Sequence, residues 1–325
     1  MGELRRACAI ELRAVLGSDG TIAAWDREAW VAALGSRPGY DRPGNIITGM
    51  LLGHEPEPLA IGPAAPAKGK LDNRSNAVPP YVAGCVAGAC GGEGTIRSER
   101  VVTHTVRSPL FTGPLRSPLR IQNTFANESF MDELALAAGT DPIDFRLRHL
   151  SSERARKVIE TAARMAGWNA REKNDGSKGR GIGFAQYKNA SAYCAVVAEV
   201  EVGEKISLRR VFAAVDAGQA VNPDGIRNQI EGGIVQAASW TLKEQVSWEA
   251  TGVRTRSWED YPILRFDEVP EIQVEIVERP GEPSLGTGEC AAGPTAAAIA
   301  NALFHAMGVR VRDLPLTPER VARAM

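Results

Sequence analysis

Hydrophobic side chains recur at every second position in some stretches of the chain, which is typical of β-strands. Residues 8–17 and 21–30 are two such stretches on either side of a Ser-Asp-Gly turn, and they predict a β-hairpin. Apolar runs at 193–202 and 206–218, joined by Gly-Glu-Lys, predict two further strands, and the alternation over 271–278 predicts another. The strands are therefore expected both at the start of the chain and in its C-terminal half.

Other stretches carry apolar side chains three or four residues apart, which predicts helices. The first covers 123–139. Its expected buried face consists of Phe130, Leu134, Ala137 and Ala138, and Gly139 is its expected C-terminal stop. A second helix restarts after the cap Asp141, with Pro142 in its first turn and Asp144 three residues on. Further helices are predicted at about 152–166 around Val158, Ile159 and Ala162, at 226–240 after a turn at 221–225, at 295–307, and after the cap Thr317.

These helices and strands mix without a regular βα repeat, so the predicted fold class is α+β. Residues 34–100 are dense in proline and glycine and have weak hydrophobic periodicity. Such a long irregular stretch is expected to wrap a partner, with disorder as the alternative. We predict a division into residues 1–110, which contain this partner-wrapping segment, and residues 111–325.

Composition narrows the class of protein. The chain has 325 residues, of which 44% are hydrophobic and 24% charged, with a formal net charge of −1. This balance offers no attraction to nucleic acid, and no apolar run is long enough for a membrane span. The first residues lack a signal-peptide pattern, and the five cysteines are scattered and odd in number, which predicts reduced thiols and a cytoplasmic location. Cys85 and Cys90 have no second pair to complete a metal site.

One acidic residue stands in an unusual loop. Glu289 lies within Gly-Glu-Pro-Ser-Leu-Gly-Thr-Gly-Glu-Cys-Ala-Ala-Gly-Pro, residues 281–294, and Gly286 and Gly288 precede it. The glycines allow the backbone to approach a partner closely, and the apolar helix that follows shields the carboxylate from water. A shielded carboxylate favours its protonated form and suits a general base, while capping of the following helix is the structural alternative.

The same loop formally matches the dinucleotide fingerprint G-x-G-x-x-A. That fingerprint follows a strand and opens a βαβ unit, but only 34 residues follow Ala291 here. We therefore set the nucleotide-binding interpretation aside.

Two further clusters are candidates for binding. Gln229 precedes the adjacent pair Gly232 and Gly233 in the helix predicted at 226–240, where two glycines indicate close packing by a ligand or by another helix. An amide side chain such as that of Gln229 suits the edge of a polar heterocycle. In the loop Leu-Arg-Ser-Pro-Leu-Arg, Arg116 and Arg120 are candidates for holding phosphate or carboxylate, with ordinary surface arginines as the alternative. The four histidines are not spaced for a metal or a catalytic triad.

These clusters appear in the order that is typical of a known family. From about residue 110 the chain resembles the C-terminal part of the molybdopterin-binding large subunit of the molybdenum hydroxylases, the family of xanthine dehydrogenase, aldehyde oxidoreductase, isoquinoline oxidoreductase and nicotinate dehydrogenase. The resemblance is carried by FANESFMDELALAAGTDPIDFRLRHL, AVDAGQAVNPDGIRNQIEGG, DYPILRF and GTGECAAGPTAAAIANALF. It implies a C-terminal molybdopterin-binding domain built of mixed sheets with packed helices.

The resemblance also implies roles for residues. Glu289 would be the base beside the molybdenum, taking a proton from an Mo–OH group, and Gln229 would hydrogen-bond the pterin. The backbone around Arg116 and Ser117 would lie against the cofactor, together with Gly232, Gly233, Gly286 and Gly288. The metal would be held through the pterin rather than by side chains. Serine rather than cysteine at 117 argues against carbon monoxide as substrate, and Cys290, where the family has proline, is expected to pack.

The implied function is hydroxylation of an electron-poor carbon, in an N-heteroaromatic such as nicotinate or in an aldehyde, with water as the oxygen source. The implied cofactor is molybdopterin with molybdenum, expected in its cytosine dinucleotide form. Because no glycine-rich N-terminal half and no iron–sulfur cysteine pattern are present, a second molybdopterin-binding subunit and a [2Fe–2S] subunit are expected, with a further flavin (FAD) or cytochrome subunit. The start at Met1 favours a natural split subunit over a fragment. The alternative function is a non-catalytic assembly or scaffold subunit.

Overall fold

The computed structural model describes residues 5, 7–32, 44, 47–55, 75–83, 94–106, 112–113, 115–169, 176–249 and 251–325. Its strands are β1 Cys8–Leu16, β2 Ile22–Ala32, β3 Ser98–Val106, β4 Lys178–Gln186, β5 Tyr193–Val202, β6 Ile206–Asp216, β7 Trp248–Glu249, β8 Gly252–Val253 and β9 Glu271–Ile276. Its helices are α1 Ile47–Leu51, α2 Arg120–Ala137, α3 Pro142–Arg148, α4 Glu153–Met165, α5 Pro223–Leu242, α6 Ala292–Met307 and α7 Pro318–Ala324.

Two larger sheets organise these strands. The first has the order β1-β2-β3, in which β1 and β2 form the expected antiparallel hairpin and β3 joins β2 in parallel. The second has the order β4-β5-β6-β9, antiparallel except for the parallel pair β6 and β9. Strands β7 and β8 form a short hairpin of their own. The mixed sheets with packed helices confirm the α+β class.

The four-stranded sheet is buried on both faces. Alternate residues of β5 point to opposite sides, so Cys194, Val196 and Ala198 pack in one core while Ala195 and Val197 pack in the other. Helices α5 and α6 cover the first face, and α4 covers the second. A strand between two helical layers has no solvent side, which explains its continuous apolar run.

Helix α6 lies directly on β4 because three alternate residues of that strand are glycine. A β-carbon at Gly179, Gly181 or Gly183 would fall 1.9–2.3 Å from a backbone atom of α6. The helix axis therefore sits closer to the sheet than side chains would allow. Because Glu289 lies only three residues before α6 begins, this contact also helps to position the glutamate loop.

A charged cluster lies within the second core. Arg146 of α3 is fully buried and donates to Glu128 and Asp132 of α2, at 2.8 and 2.9 Å. Two further donors to the Glu128 carboxylate are the Tyr81 hydroxyl at 2.8 Å and the Phe184 N–H at 2.9 Å. This cluster joins α2, α3, β4 and the segment around residue 81.

The structure confirms most predicted elements. Asp141 caps α3 by accepting from the Ile143 N–H at 2.8 Å, and Ser152 and Thr317 cap α4 and α7. Helix α4 buries Val158, Ile159 and Ala162, as expected.

Three local predictions are wrong. Helix α2 begins earlier than expected and exposes Ala137, because it lies between both cores and buries Met131 and Ala135 instead. Residues Pro223–Gly225 form the first turn of α5 rather than a separate turn, with Asn222 accepting from the Gly225 N–H at 2.9 Å. Strand β4 is absent from the predicted elements, because its glycines weaken the strand signal.

Much of the predicted partner-wrapping segment 34–100 lies outside the described residues, as do Cys85 and Cys90. The part that is described contains α1 and the start of β3, so the segment is not irregular throughout. The division of the chain at residue 110 stays a prediction. Among the helices that the structure describes, none combines the length and the apolar character needed to cross a membrane.

Candidate active site

Glu289 lies in the loop between β9 and α6, and two donors from distant parts of the chain hold its carboxylate. The Ser117 N–H donates to Oε1 at 3.1 Å, and the Tyr187 hydroxyl donates to Oε2. The Ser117 hydroxyl also donates to the Glu289 carbonyl oxygen at 2.7 Å. The Glu289 side chain is nevertheless 31% exposed. The carboxylate is thus fixed in orientation and still accessible from outside.

The alternative that Glu289 caps the following helix does not match these contacts. Ala291, not Glu289, is the N-cap residue of α6, and it makes no side-chain capping bond. Both carboxylate oxygens of Glu289 accept from other elements instead.

Arg116 hydrogen-bonds acceptors within the chain. Its Nε donates to the Gly288 carbonyl at 2.7 Å, and its Nη1 donates to the Gln236 side chain at 3.2 Å. Its Nη2 donates to the backbone and side-chain oxygens of Gln229, at 3.0 and 3.1 Å. Arg116 therefore joins the glutamate loop to α5, and the predicted contact with phosphate or carboxylate stays a prediction.

Arg120 lies beside a carboxylate, as the sequence suggested, but that carboxylate is Glu289. Its Nη1 is 3.9 Å from Glu289 Oε2, and its guanidinium stands 4.8 Å from the centre of the Tyr187 ring. The side chain is only 13% exposed, so it is not an ordinary surface arginine. Its buried Nε has no hydrogen-bond partner among the residues that the structure describes.

The arginine loop reaches this geometry through strained backbone. Ser117 and Leu119 both have φ of 60°, in the left-handed region that favours glycine. Arg5 holds the loop by donating to the carbonyl oxygens of Arg116 and Ser117, at 2.8 and 3.3 Å, and stacks 4.1 Å from the Trp240 ring. Burial lowers the pKa of Arg5 to about 10, so it stays a cation at neutral pH.

The two glycines of α5 have different environments. A β-carbon at Gly233 would lie 3.4 Å from both Ala291 Cβ and Arg116 Nη2, so Gly233 permits close packing of the helix against its neighbours. A β-carbon at Gly232 would meet nothing within 4 Å among the described residues, and Gly232 is exposed. Gln229, one turn earlier, is also exposed, so it lies on the same open side of α5 as Gly232.

The glutamate loop presents a similar open side. Gly286 and Gly288 are exposed, and in the part of the chain that the structure describes no atom lies within 4 Å of a β-carbon placed at Gly286. A β-carbon at Gly288 would lie 3.7 Å from Gln229 Oε1. The structure therefore brings together the predicted residues of all three clusters and leaves a surface of backbone and amide groups beside Glu289.

Asp216 anchors the base of this loop. It is fully buried and accepts from Arg154 at 2.6 and 2.9 Å, from Arg279 at 3.1 Å and from the Gly218 N–H at 2.9 Å. The adjacent residue Ala217 accepts from the Leu285 N–H at 2.7 Å. The end of β6 is thus joined to Arg279, just before the glutamate loop, by the Asp216 carboxylate, and to the loop itself by the backbone bond between Leu285 and Ala217.

Removal of this anchor is expected to destabilise the protein in a pH-dependent way. Burial alone would raise the pKa of Asp216, but the bonds from Arg154, Gly218 and Arg279 outweigh it and hold that pKa below its usual range. The stabilisation is complete above the ordinary aspartate value of about 3.9 and is lost as the pH falls through the lower folded value. We expect Asp216→Asn to lower the free energy of unfolding by about 1.5–3 kcal/mol at pH 7.

The measurement is urea unfolding of both proteins at pH 7, 5 and 3. The difference between them should be equal at pH 7 and 5 and smaller at pH 3. A difference that grows on acidification would contradict this assignment.

Sequence reasoning missed Tyr187, Arg5 and Asp216. The signal for Asp216 was present in the stretch Ala-Val-Asp-Ala-Gly, where a carboxylate ends an apolar strand before a glycine. Tyr187 and Arg5 carry no comparable local signal. Cys290 packs as expected, since it is 2% exposed and lies in the same core as Cys194.

Comparisons with known proteins identify the family that this chain resembles. The family model of the molybdopterin cofactor-binding domain matches residues 135–270. One subunit of the nicotinate dehydrogenase of Pseudomonas putida is 36% identical over 97% of this chain, and the beta subunit of isoquinoline 1-oxidoreductase of Brevundimonas diminuta is 36% identical over 61%. The solved structure of quinoline 2-oxidoreductase from Pseudomonas putida 86 matches 99% of this chain and 62% of its own, with a TM-score of 0.73 at 14% identity.

The chain belongs to the molybdenum hydroxylase family and is similar to its molybdopterin-binding subunit. It spans 26% of the length of the nicotinate dehydrogenase relative and 26% of the isoquinoline one. The quinoline enzyme shares the fold, and at 14% identity it says nothing further about function.

Proposed function

We propose that the chain is the molybdopterin-binding subunit of a multi-subunit molybdenum hydroxylase. The complex would hydroxylate an electron-poor carbon with water as the oxygen source and would pass electrons to [2Fe–2S] clusters in a partner subunit. The observation that carries this proposal is the Glu289 carboxylate, which is held by two donors at the edge of an open surface formed by exposed glycines and Gln229.

The residues of that surface fit a pterin. A flat, polar heterocycle needs close backbone approach and donors and acceptors at its edges. Gly232, Gly286 and Gly288 leave room for such a ring, and the Gln229 amide supplies both hydrogen-bonding functions. The buried Nε of Arg120 is a further donor with no acceptor among the described residues. Gly233, Arg116 and Ser117 would not contact the pterin themselves. They would hold Gln229 and the glutamate loop in position.

Bound molybdopterin would supply the redox chemistry and the activated oxygen. Glu289 would accept a proton at its carboxylate, the role for which its fixed orientation and partial exposure suit it. The Ser117 N–H and the Tyr187 hydroxyl would hold the two carboxylate oxygens while the proton is exchanged. Arg120, 3.9 Å from Oε2, would place a positive charge beside the carboxylate.

The relatives support the substrate class. Nicotinate and isoquinoline, named in the two relatives, are N-heteroaromatic compounds with electron-poor carbons. We therefore propose an N-heteroaromatic substrate such as nicotinate, as in N-heterocycle degradation, with an aldehyde as the second choice.

We further propose a second molybdopterin-binding subunit, a [2Fe–2S] subunit and a flavin or cytochrome subunit as partners, and the cytosine dinucleotide form of the pterin. The subunit names of the relatives support a multi-subunit assembly. Cys194 and Cys290 are reduced thiols, which is compatible with a cytoplasmic location.

The cofactor assignment predicts that a side chain at Gly232 blocks binding without harming the fold. The β-carbon of a leucine at position 232 meets no atom of the described residues beyond its own helix within 4 Å, and the substitution improves the helix propensity of α5 by roughly 0.5–1 kcal/mol. We expect the co-purified complex to lose most of its molybdenum and pterin while the thermal stability of this subunit stays equal or rises. Metal analysis and pterin fluorescence after denaturation measure the loss.

Gly203→Leu is the matched control, since Gly203 is an exposed glycine with nothing near its β-carbon position. That variant should keep its cofactor. Full molybdenum and pterin content in Gly232→Leu would exclude this surface as the binding site. A wild-type complex without pterin would favour a scaffold role for the chain.

A further inference from the structure

The hydroxyl of Tyr187 contacts Glu289, the candidate base. Tyr187 belongs to none of the three clusters that were recognised from the sequence. Its hydroxyl donates to Glu289 Oε2, while Oε1 accepts from the Ser117 N–H. Each oxygen of the carboxylate therefore has its own donor. Removal of the phenol would leave Glu289 held at one oxygen and free to rotate about its terminal bond.

The backbone that presents Tyr187 is strained. Strand β4 ends at Gln186, and the chain then makes a single 3₁₀ turn over Tyr187–Asn189. Lys188 and Asn189 have φ of 59° and 51°, so two successive non-glycine residues adopt the left-handed region. Such a conformation persists only where surrounding contacts determine it, and it is concentrated at functional sites.

A network of buried amides determines this conformation. The Asn76 side chain donates to the Gln186 carbonyl at 2.7 Å and to Asn189 Oδ1 at 2.6 Å, and it accepts from the Lys188 N–H at 3.1 Å. Asn189 in turn donates to the Val78 carbonyl at 2.9 Å. Asn76 and Asn189 are 3% and 2% exposed, so the turn is fixed from inside the protein.

The ring of Tyr187 is also held by charge. Arg120 lies 4.8 Å and the Lys188 ammonium 5.3 Å from the ring centre. Burial raises the pKa of Tyr187, and the hydrogen bond to Glu289 raises it further, against the opposing effect of Arg120. The phenol therefore stays protonated at neutral pH and acts as a permanent donor.

We propose that Tyr187 is a positioning residue for Glu289, aimed by the strained turn and its buried asparagines so that the carboxylate faces the cofactor surface in one orientation. This inference rests on the proposed function, because it assigns Tyr187 a role in the reaction for which Glu289 is the base. The hydrogen bond from the phenol limits rotation of the carboxylate about its terminal bond.

The test is Tyr187→Phe in the assembled complex, with rates expressed per bound molybdenum. We expect kcat to fall about 10- to 100-fold with KM unchanged, because the base is misplaced while substrate contacts remain. A second measurement does not depend on turnover. Water-soluble carbodiimide labels accessible carboxyl groups, and mass spectrometry of the peptide that contains Glu289 gives its labelling rate. That rate should rise about tenfold when one charge-assisted hydrogen bond is lost, because the carboxylate then turns more freely into solvent.

Tyr261→Phe is the matched control. The Tyr261 hydroxyl donates to the half-buried carboxylate of Glu244 at 2.7 Å, so the same kind of bond is removed elsewhere. That variant should change neither kcat nor the labelling of Glu289. An unchanged labelling rate in Tyr187→Phe, or a raised KM with unchanged kcat, would overturn the positioning role. Full activity of a Glu289→Gln complex would instead overturn the proposed function itself.

Discussion

Glu289→Gln in the assembled complex is expected to lower kcat by about 10²- to 10⁴-fold, the range that one general base contributes. Glutamine has the same shape and keeps a side-chain oxygen, so the Ser117 N–H retains an acceptor. The amide cannot take up a proton at neutral pH, however, and it places two donors where the carboxylate had none. The measurement is steady-state turnover with an N-heteroaromatic substrate, expressed per bound molybdenum.

The cofactor content of Glu289→Gln distinguishes loss of the base from loss of cofactor binding. Glu289 is held by Ser117 and Tyr187 and is no part of the packing between α5 and α6, so molybdenum and pterin should stay at wild-type levels. Glu244→Gln is the control, because Glu244 also accepts from a tyrosine hydroxyl and should keep full turnover. Wild-type activity of Glu289→Gln with bound molybdenum would exclude Glu289 as the base.

The structure shows which parts of the fold depend on local signals. The start of α3 has a capping aspartate, a proline in the first turn and an acidic third position, and all three agree, so the helix start was predictable. Strand β4 carries the opposite signals, since glycine disfavours strands, and those glycines serve the contact with α6. The residues of α6 that require these glycines lie about 120 positions later in the sequence, so no local pattern around β4 can reveal the contact.

The candidate site depends on the same long-range contacts. Glu289 and the arginine loop were each recognised from their own sequence, but their hydrogen bonds join residues 172 positions apart. The glycines near Gln229 predicted close packing, and only Gly233 packs closely. Gly232 faces outward, and a sequence pattern cannot distinguish two adjacent glycines with opposite roles. The placement of Tyr187 depends on Asn76, more than 100 residues earlier in the chain.

Arg146→Met is expected to produce the largest loss of stability. Methionine fills a similar volume, but it removes every donor that Arg146 supplies. Those donors bond Glu128 Oε2 at 2.8 Å, Asp132 Oδ1 at 2.9 Å and two backbone carbonyls at 2.9 Å. Glu128 and Asp132 are 1% and 0% exposed, so two carboxylates would stay buried without their cation. Breaking a buried ion pair in this way costs about 3–5 kcal/mol in the free energy of unfolding.

The matched control is Arg164→Met. Arg164 pairs with Glu275 in a contact whose side chains are 63% and 43% exposed, and an exposed pair contributes only about 0–1 kcal/mol. Urea unfolding at pH 7 should therefore separate the two variants by at least about 2 kcal/mol. Equal losses in both would mean that water reaches the cluster around Arg146.

The pH dependence of Arg146→Met tests the same explanation. In the native protein burial raises the pKa of Glu128, although Arg146, Tyr81 and the Phe184 N–H oppose that effect. Without Arg146 the opposition weakens, so the folded-state pKa of the carboxyl group moves further above its unfolded value. A carboxyl group whose pKa is higher in the folded than in the unfolded state destabilises the fold at pH values above its unfolded-state pKa. This loss of stability disappears as the pH falls towards about 4.3, the ordinary pKa of glutamate. The deficit of Arg146→Met relative to wild type should therefore shrink between pH 7 and pH 5, whereas a deficit caused by poor packing of methionine would stay constant.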